Sequence, residues 1–128
     1  MEKRLSKKEY FEALRNRWKE AKEYAERDEI KALFQHALEN GLKVSAHSFA
    51  FVKKQLDEKG LEGTPYLDTK TFQGWVDNGF KVKKGEKSFL QGITFLPVER
   101  EKETGEKEVA YTVPKAYHLF HKSQVEAI

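Results

Sequence analysis

The chain has 128 residues, a net charge of +3 and 35% charged residues, a length that suits one domain with its own hydrophobic core. It contains no cysteine, which excludes disulfides, thiolate nucleophiles and cysteine zinc sites. No apolar run approaches the ~20 residues that cross a membrane, and the charged start Met1-Glu2-Lys3-Arg4 is not a secretory signal, so a cytoplasmic location is expected.

Ser6 and Glu9 have capping-box spacing, with Leu5 and Tyr10 placed as a hydrophobic staple. Phe11, Leu14, Trp18, Ala21 and Ala25 then recur every three or four residues and define the apolar face of a first helix. The phase slips near Arg27-Asp28, and Ile30, Leu33, Phe34, Ala37 and Leu38 start a new set. Asp28 is a candidate cap for this second helix, which Gly41 ends; one long bent helix is the competing reading. A third helix starts at Ser45 or Ser48, carries Phe49, Val52 and Leu56, and stops at Gly60. Residues 60–68, with Gly63 and Pro65, read as a loop. Asp68 is placed as the cap of a short fourth helix with Phe72, Trp75 and Val76 on its apolar side, ended by Gly79.

The period then falls to two. Residues 81–85, 93–98 and 109–113 alternate as strands do. The acidic stretch Glu99–Glu108 is placed as a hairpin loop between the last two, and Ala116–His121 as a final strand or short helix. About four N-terminal helices followed by a small antiparallel sheet make an α+β fold, a single domain over 1–128 with a helical half at 1–60.

Charge is unevenly spread. Residues 1–40 hold ten Lys/Arg against nine Asp/Glu, whereas residues 69–92 hold Lys70, Lys81, Lys83, Lys84 and Lys87 against only Asp77 and Glu86. Lys83-Lys84-Gly85-Glu86-Lys87 reads as a turn in which Gly85 supplies the backbone freedom. Ammonium groups gathered on one protrusion bind phosphates by charge alone. A lysine-rich turn is also the ordinary form of a solvated connection between strands, so the aromatics beside it carry the distinction. Lysines next to a stacking surface are the working parts of a single-strand binder. Tyr66 and Tyr117, with their polar tips, are the preferred stacking candidates, and Trp75 joins the candidate set. Phe72 and Trp75, at helical spacing, suit a core, and Phe120 is assigned there. On a strand Tyr117 and Phe120 face opposite ways, which leaves Tyr117 free.

Little in the sequence supports an enzyme. The histidines are His36, His47, His118 and His121. On a helix His118 and His121 would share a face and on a strand they point apart, and no carboxylate pattern joins them as metal ligands. His121 and Ser123 are close in sequence, which does not make a triad. The lysine turn lacks the spaced glycines and following Ser/Thr of a P-loop. No cofactor and no metal are expected.

Three blocks resemble a known family. Thr71-Phe72-Gln73-Gly74-Trp75, then Gly79 to Lys87 with its Val-Lys-Lys-Gly-Glu-Lys, then Tyr117-His118-Leu119-Phe120 followed by Gln124 and Glu126 resemble the N-terminal domain of the ArdC antirestriction family. The resemblance covers roughly residues 64–128. Ser88 stands where such sequences usually have Gly, and His121 where they often have Asn or Asp. The His-Glu-x-x-His motif of longer members is missing. The resemblance implies single-stranded DNA binding, in a protein of plasmids, conjugative elements or phages, and none of the family's metal chemistry. The expected ligand is therefore single-stranded DNA, with RNA as an alternative. The second hypothesis is a protein-binding inhibitor of a host defence enzyme, using the helical half around Trp18 or the acidic hairpin.

Overall fold

The computed structural model describes residues 6–128. Three helices come first: α1 (Lys7–Ala25), α2 (Asp28–Glu39) and α3 (Ala46–Glu58). Strand β1 (Thr69–Lys70), helix α4 (Phe72–Asp77) and strand β2 (Phe80–Val82) follow. Two long strands, β3 (Leu90–Glu101) and β4 (Lys107–His121), then lead through a 3-10 turn to β5 (Val125–Ala127). Four helices and small antiparallel sheets give the expected α+β architecture, with α4 set between the first two strands.

Local chemistry explains most boundaries. The Ser6 hydroxyl accepts the Glu9 amide at 3.2 Å and donates to the Glu9 carboxylate at 3.1 Å; the staple through Leu5 lies outside the described residues. The chain breaks at Glu26–Arg27 into two helices, which settles the bent-helix alternative. Asp28 is not the cap of α2 but its first helical residue, and Arg27 at the N-cap makes no side-chain bond. Ser45 caps α3 through the Ser48 amide at 3.0 Å. Thr71, not Asp68, caps α4 through Gly74. Asp68 instead accepts the Thr64 amide at 2.6 Å and tightens the loop before β1.

The strands differ more from expectation. Residues 107–121 form one strand, so the final element anticipated at 116–121 is its continuation. The acidic stretch is half ladder, with Glu99↔Val109, Arg100↔Glu108 and Glu101↔Lys107 in register and a bulge next to Val98. Only residues 102–106 turn. Two sheets result, ordered β1-β4-β3 and β2-β5.

Helix α3 holds the molecule together. Phe51 packs with Leu14, Ala21 and Ile93, while Val52 and Leu56 pack with Leu90 and Leu119. Ile93 and Leu90 point to opposite faces of β3, so α3 lies along that strand's edge and serves both faces. Gln55 fixes the contact: its Oε1 accepts the Gln91 amide at 2.9 Å and its Nε2 donates to the Gln91 carbonyl at 2.7 Å. Tyr24, Ile30, Ala37, Phe49 and Ala50 form a third cluster between α1, α2 and α3.

Candidate nucleic-acid interface

The end of β4 has two unlike faces. Tyr117, Leu119 and His121 share one. Leu119 is fully buried. The Tyr117 ring lies over Gly92, where an added Cβ would overlap it, and its hydroxyl meets the Tyr66 hydroxyl at 2.7 Å. Tyr66 reaches this partner from a left-handed backbone conformation, φ 66°, which is uncommon outside glycine. Burial, reinforced by the Tyr117 hydroxyl, pushes the Tyr66 phenol well above its ordinary pKa. His121 is buried, with Nε2 2.6 Å from the Glu62 carbonyl and Nδ1 2.8 Å from the Ser123 hydroxyl. Nε2 must therefore donate and Nδ1 accept, and the imidazole caps the 3-10 turn.

The other face carries His118 and Phe120, and it is open. His118 is exposed and Phe120 half-buried. Phe72, 55% exposed, approaches Phe120 edge-on with ring centroids 6.4 Å apart. Together with Lys87 and Ser88 these residues line a shallow hollow of about 450 Å³. The expected facing of β4 thus differs: Tyr117 and Phe120 are both half-buried, but Tyr117 packs against the Leu119 cluster while Phe120 borders the open hollow. Leu119 is the reason. It shares parity with Tyr117, and an aliphatic side chain with no polar tip has the stronger claim on the interior.

Trp75 also belongs to the interior. It is 5% exposed, and its indole N–H donates to the Phe120 carbonyl at 2.9 Å. Lys70 lies 5.6 Å over the Trp75 ring and donates to the Tyr66 carbonyl at 2.9 Å, which makes it a structural cation. Phe72, expected in the core beside Trp75, is exposed on α4. Tyr66, Trp75, Tyr117 and Lys70 therefore stand apart from the open face, and Phe72, His118 and Phe120 take their place. Strand parity around Leu119 was the available signal for the last two; spacing alone gave none for Phe72, because a six-residue helix has too few turns to show a stripe.

The lysine turn is built on Gln124. This buried side chain donates to the Lys87 carbonyl at 2.8 Å and to the Glu86 carboxylate at 3.1 Å, while the Gln124 backbone carbonyl accepts the Lys83 amide at 2.9 Å. Gly85 takes φ 88° in the turn, a conformation that favours glycine. Lys84 and Lys87 are exposed. Lys83 donates to the Ser123 carbonyl at 3.2 Å, and Lys81 is 3.8 Å from Glu126 in an exposed ion pair. Both keep their charge at the surface, and such pairs hold it weakly. Lys87 is the lysine that joins this turn to the aromatic hollow.

Among the described residues no group of three or more His, Asp or Glu is placed to hold a metal ion, and no helix is long and apolar enough to cross a membrane. Comparison with protein-family models, curated proteins and solved structures finds no match to the chain.

Proposed function

We propose that the chain is a single-stranded DNA-binding module with no catalytic activity of its own. The observation that carries this reading is the exposed Phe72 ring beside Phe120 and His118, with Lys87 on the rim and the lysine turn next to it. Aromatic faces take unpaired bases, and ammonium groups take the backbone between them. Spacing favours an unpaired strand. His118 and Phe120 are two residues apart on one face, about 7 Å by strand rise, roughly twice the ~3.4 Å between stacked bases of one duplex strand. Bases lying on both must be spread apart, which a duplex does not permit. The resemblance of residues 64–128 to the N-terminal domain of the ArdC family supports the same ligand, and with it a setting in a plasmid, conjugative element or phage.

Fluorescence anisotropy with single-stranded DNA, duplex DNA and RNA of equal length, across a salt series, tests the proposal. Single-stranded DNA is expected to bind most tightly. Equal affinity for duplex would reduce the site to a bare electrostatic patch.

The alternative, a protein-binding inhibitor of a host defence enzyme, draws on a different feature. The outer half of the β3–β4 hairpin exposes Val109, Leu96 and Tyr111, the last at 59%, and exposed apolar clusters mark protein contacts. Weak, salt-insensitive retention on an oligonucleotide resin favours that reading.

A further inference from the structure

A second hollow, of about 280 Å³, adjoins the first and shares Ser88 and His118 with it. It lies between the end of α3 and the segment leading into β3. Phe89, 40% exposed, stands on one side with the Lys59 ammonium 5.8 Å from its ring centroid. Arg17 enters from α1 and donates through Nη1 to Gln91 Oε1 at 3.1 Å. That bond fixes the Gln91 amide with its NH2 end as the donor. The acid on this hollow, Glu58, is held by Lys54 at 2.5 Å, and the Glu58 hydrogen bond in turn raises the Lys54 pKa. Arg17 and Lys59 are left as the cations facing a ligand there. The first hollow has an aromatic and a lysine on its lining, Phe72 and Lys87, and the same combination recurs beyond His118 as Phe89 with Lys59.

We propose that this hollow is a second nucleotide subsite on the same single-stranded DNA path. Phe89 stacks a base, Lys59 and Arg17 hold the adjoining phosphate, and the Gln91 amide donates to the base edge. The subsite rests on the single-strand reading, because its ligand arrives by crossing His118 from the Phe72–Phe120 platform. It follows that a strand long enough to reach both hollows uses both, and a short one uses the first alone.

Anisotropy on labelled oligo-dT of about four and about twelve nucleotides separates the possibilities, lengths that bracket common single-strand site sizes. Phe72→Ala is expected to weaken both lengths. Phe89→Ala is expected to weaken the longer strand by about 5–150-fold, the loss of one stacked base, and to leave the shorter one unchanged. Lys59→Gln should follow Phe89→Ala with a smaller loss. Phe89 and Lys59 are surface residues, so an unchanged melting temperature checks that the variants are folded. Normal binding of the longer strand by both variants, with Phe72→Ala still impaired, overturns the subsite and spares the single-strand reading. Equal losses at both lengths overturn the division into two subsites. If the unaltered protein binds neither strand, or Phe72→Ala changes neither, the single-strand reading falls and the subsite with it.

Discussion

The last turn of β4 presents neighbouring residues to opposite environments. Tyr117, Leu119 and His121 are packed and hydrogen-bonded within the protein. His118 and Phe120, alternating with them, meet solvent, a lysine and a second aromatic. Backbone, strand and sequence block are common to both sets, so what separates them is what lies against each face. The loop through Tyr66 and helix α3 cover one, while the other borders a shallow hollow flanked by Phe72, Lys87 and Ser88. Aromatic character alone therefore says little about function; an uncovered ring beside an uncompensated cation says more.

Removing a side chain from each face tests this division most directly. Leu119→Ala is expected to cost about 2–5 kcal/mol of stability, the usual range for a buried leucine, measured by urea unfolding. Once folded, that variant should bind single-stranded DNA normally. Phe120→Ala is expected to do the reverse, costing about 1–3 kcal/mol in binding through the lost stacking face, with a smaller change in melting temperature. If Phe120→Ala binds normally while Leu119→Ala, still folded, does not, the open face is not the binding face.

Charge gives a smaller effect. Lys84→Gln with Lys87→Gln should flatten the dependence of log affinity on log salt by about 0.7 per lysine, the single-strand value. An unchanged slope in the folded double variant would move the phosphate contacts away from the turn. The smallest effect is on the packed face. Burial favours the neutral Tyr66 phenol, raising its folded pKa above the ordinary ~10. Its contribution to stability is present below pH ~10 and is lost as pH rises through the raised value. Tyr66→Phe should lessen this alkaline loss in unfolding curves recorded on both sides of pH 10.

The helices were largely legible in the sequence because their signals are local: Ser6 and Ser45 at N-caps, Gly41, Gly60 and Gly79 after the ends, and apolar residues every three or four positions. The ladders were legible only in part. Charge suggested a loop at 99–108, but an antiparallel ladder in solvent accommodates Glu and Lys, and Arg100 pairs with Glu108 across it at 2.7 Å. Strand β5 is three residues long and is defined by its pairing with β2, a long-range contact that no local pattern announces. The lysine turn was legible from composition. Its support by Gln124, thirty-eight positions from Glu86, was not. The facing of the aromatics was hard to read for a related reason: parity divides Tyr117 from Phe120, but only the positions of Tyr66 and α3 decide which side packs against the core.

The Gln55 clamp on Gln91 has a consequence for association between chains. An edge strand offers its outward N–H and C=O groups to any other extended segment, an invitation to aggregation. In β3 those outward groups belong to Gln91 and the residues of the same parity, Ile93, Phe95 and Pro97. Gln55 occupies the pair at Gln91, and Pro97 has no N–H to offer. In β4 the outward parity runs through Thr112, Pro114, Ala116 and His118, with Pro114 again withholding a donor and the Phe120 carbonyl taken by Trp75. A glutamine, a tryptophan and two prolines thus interrupt both borders of the hairpin, and a passing strand finds no long run of consecutive partners on either side.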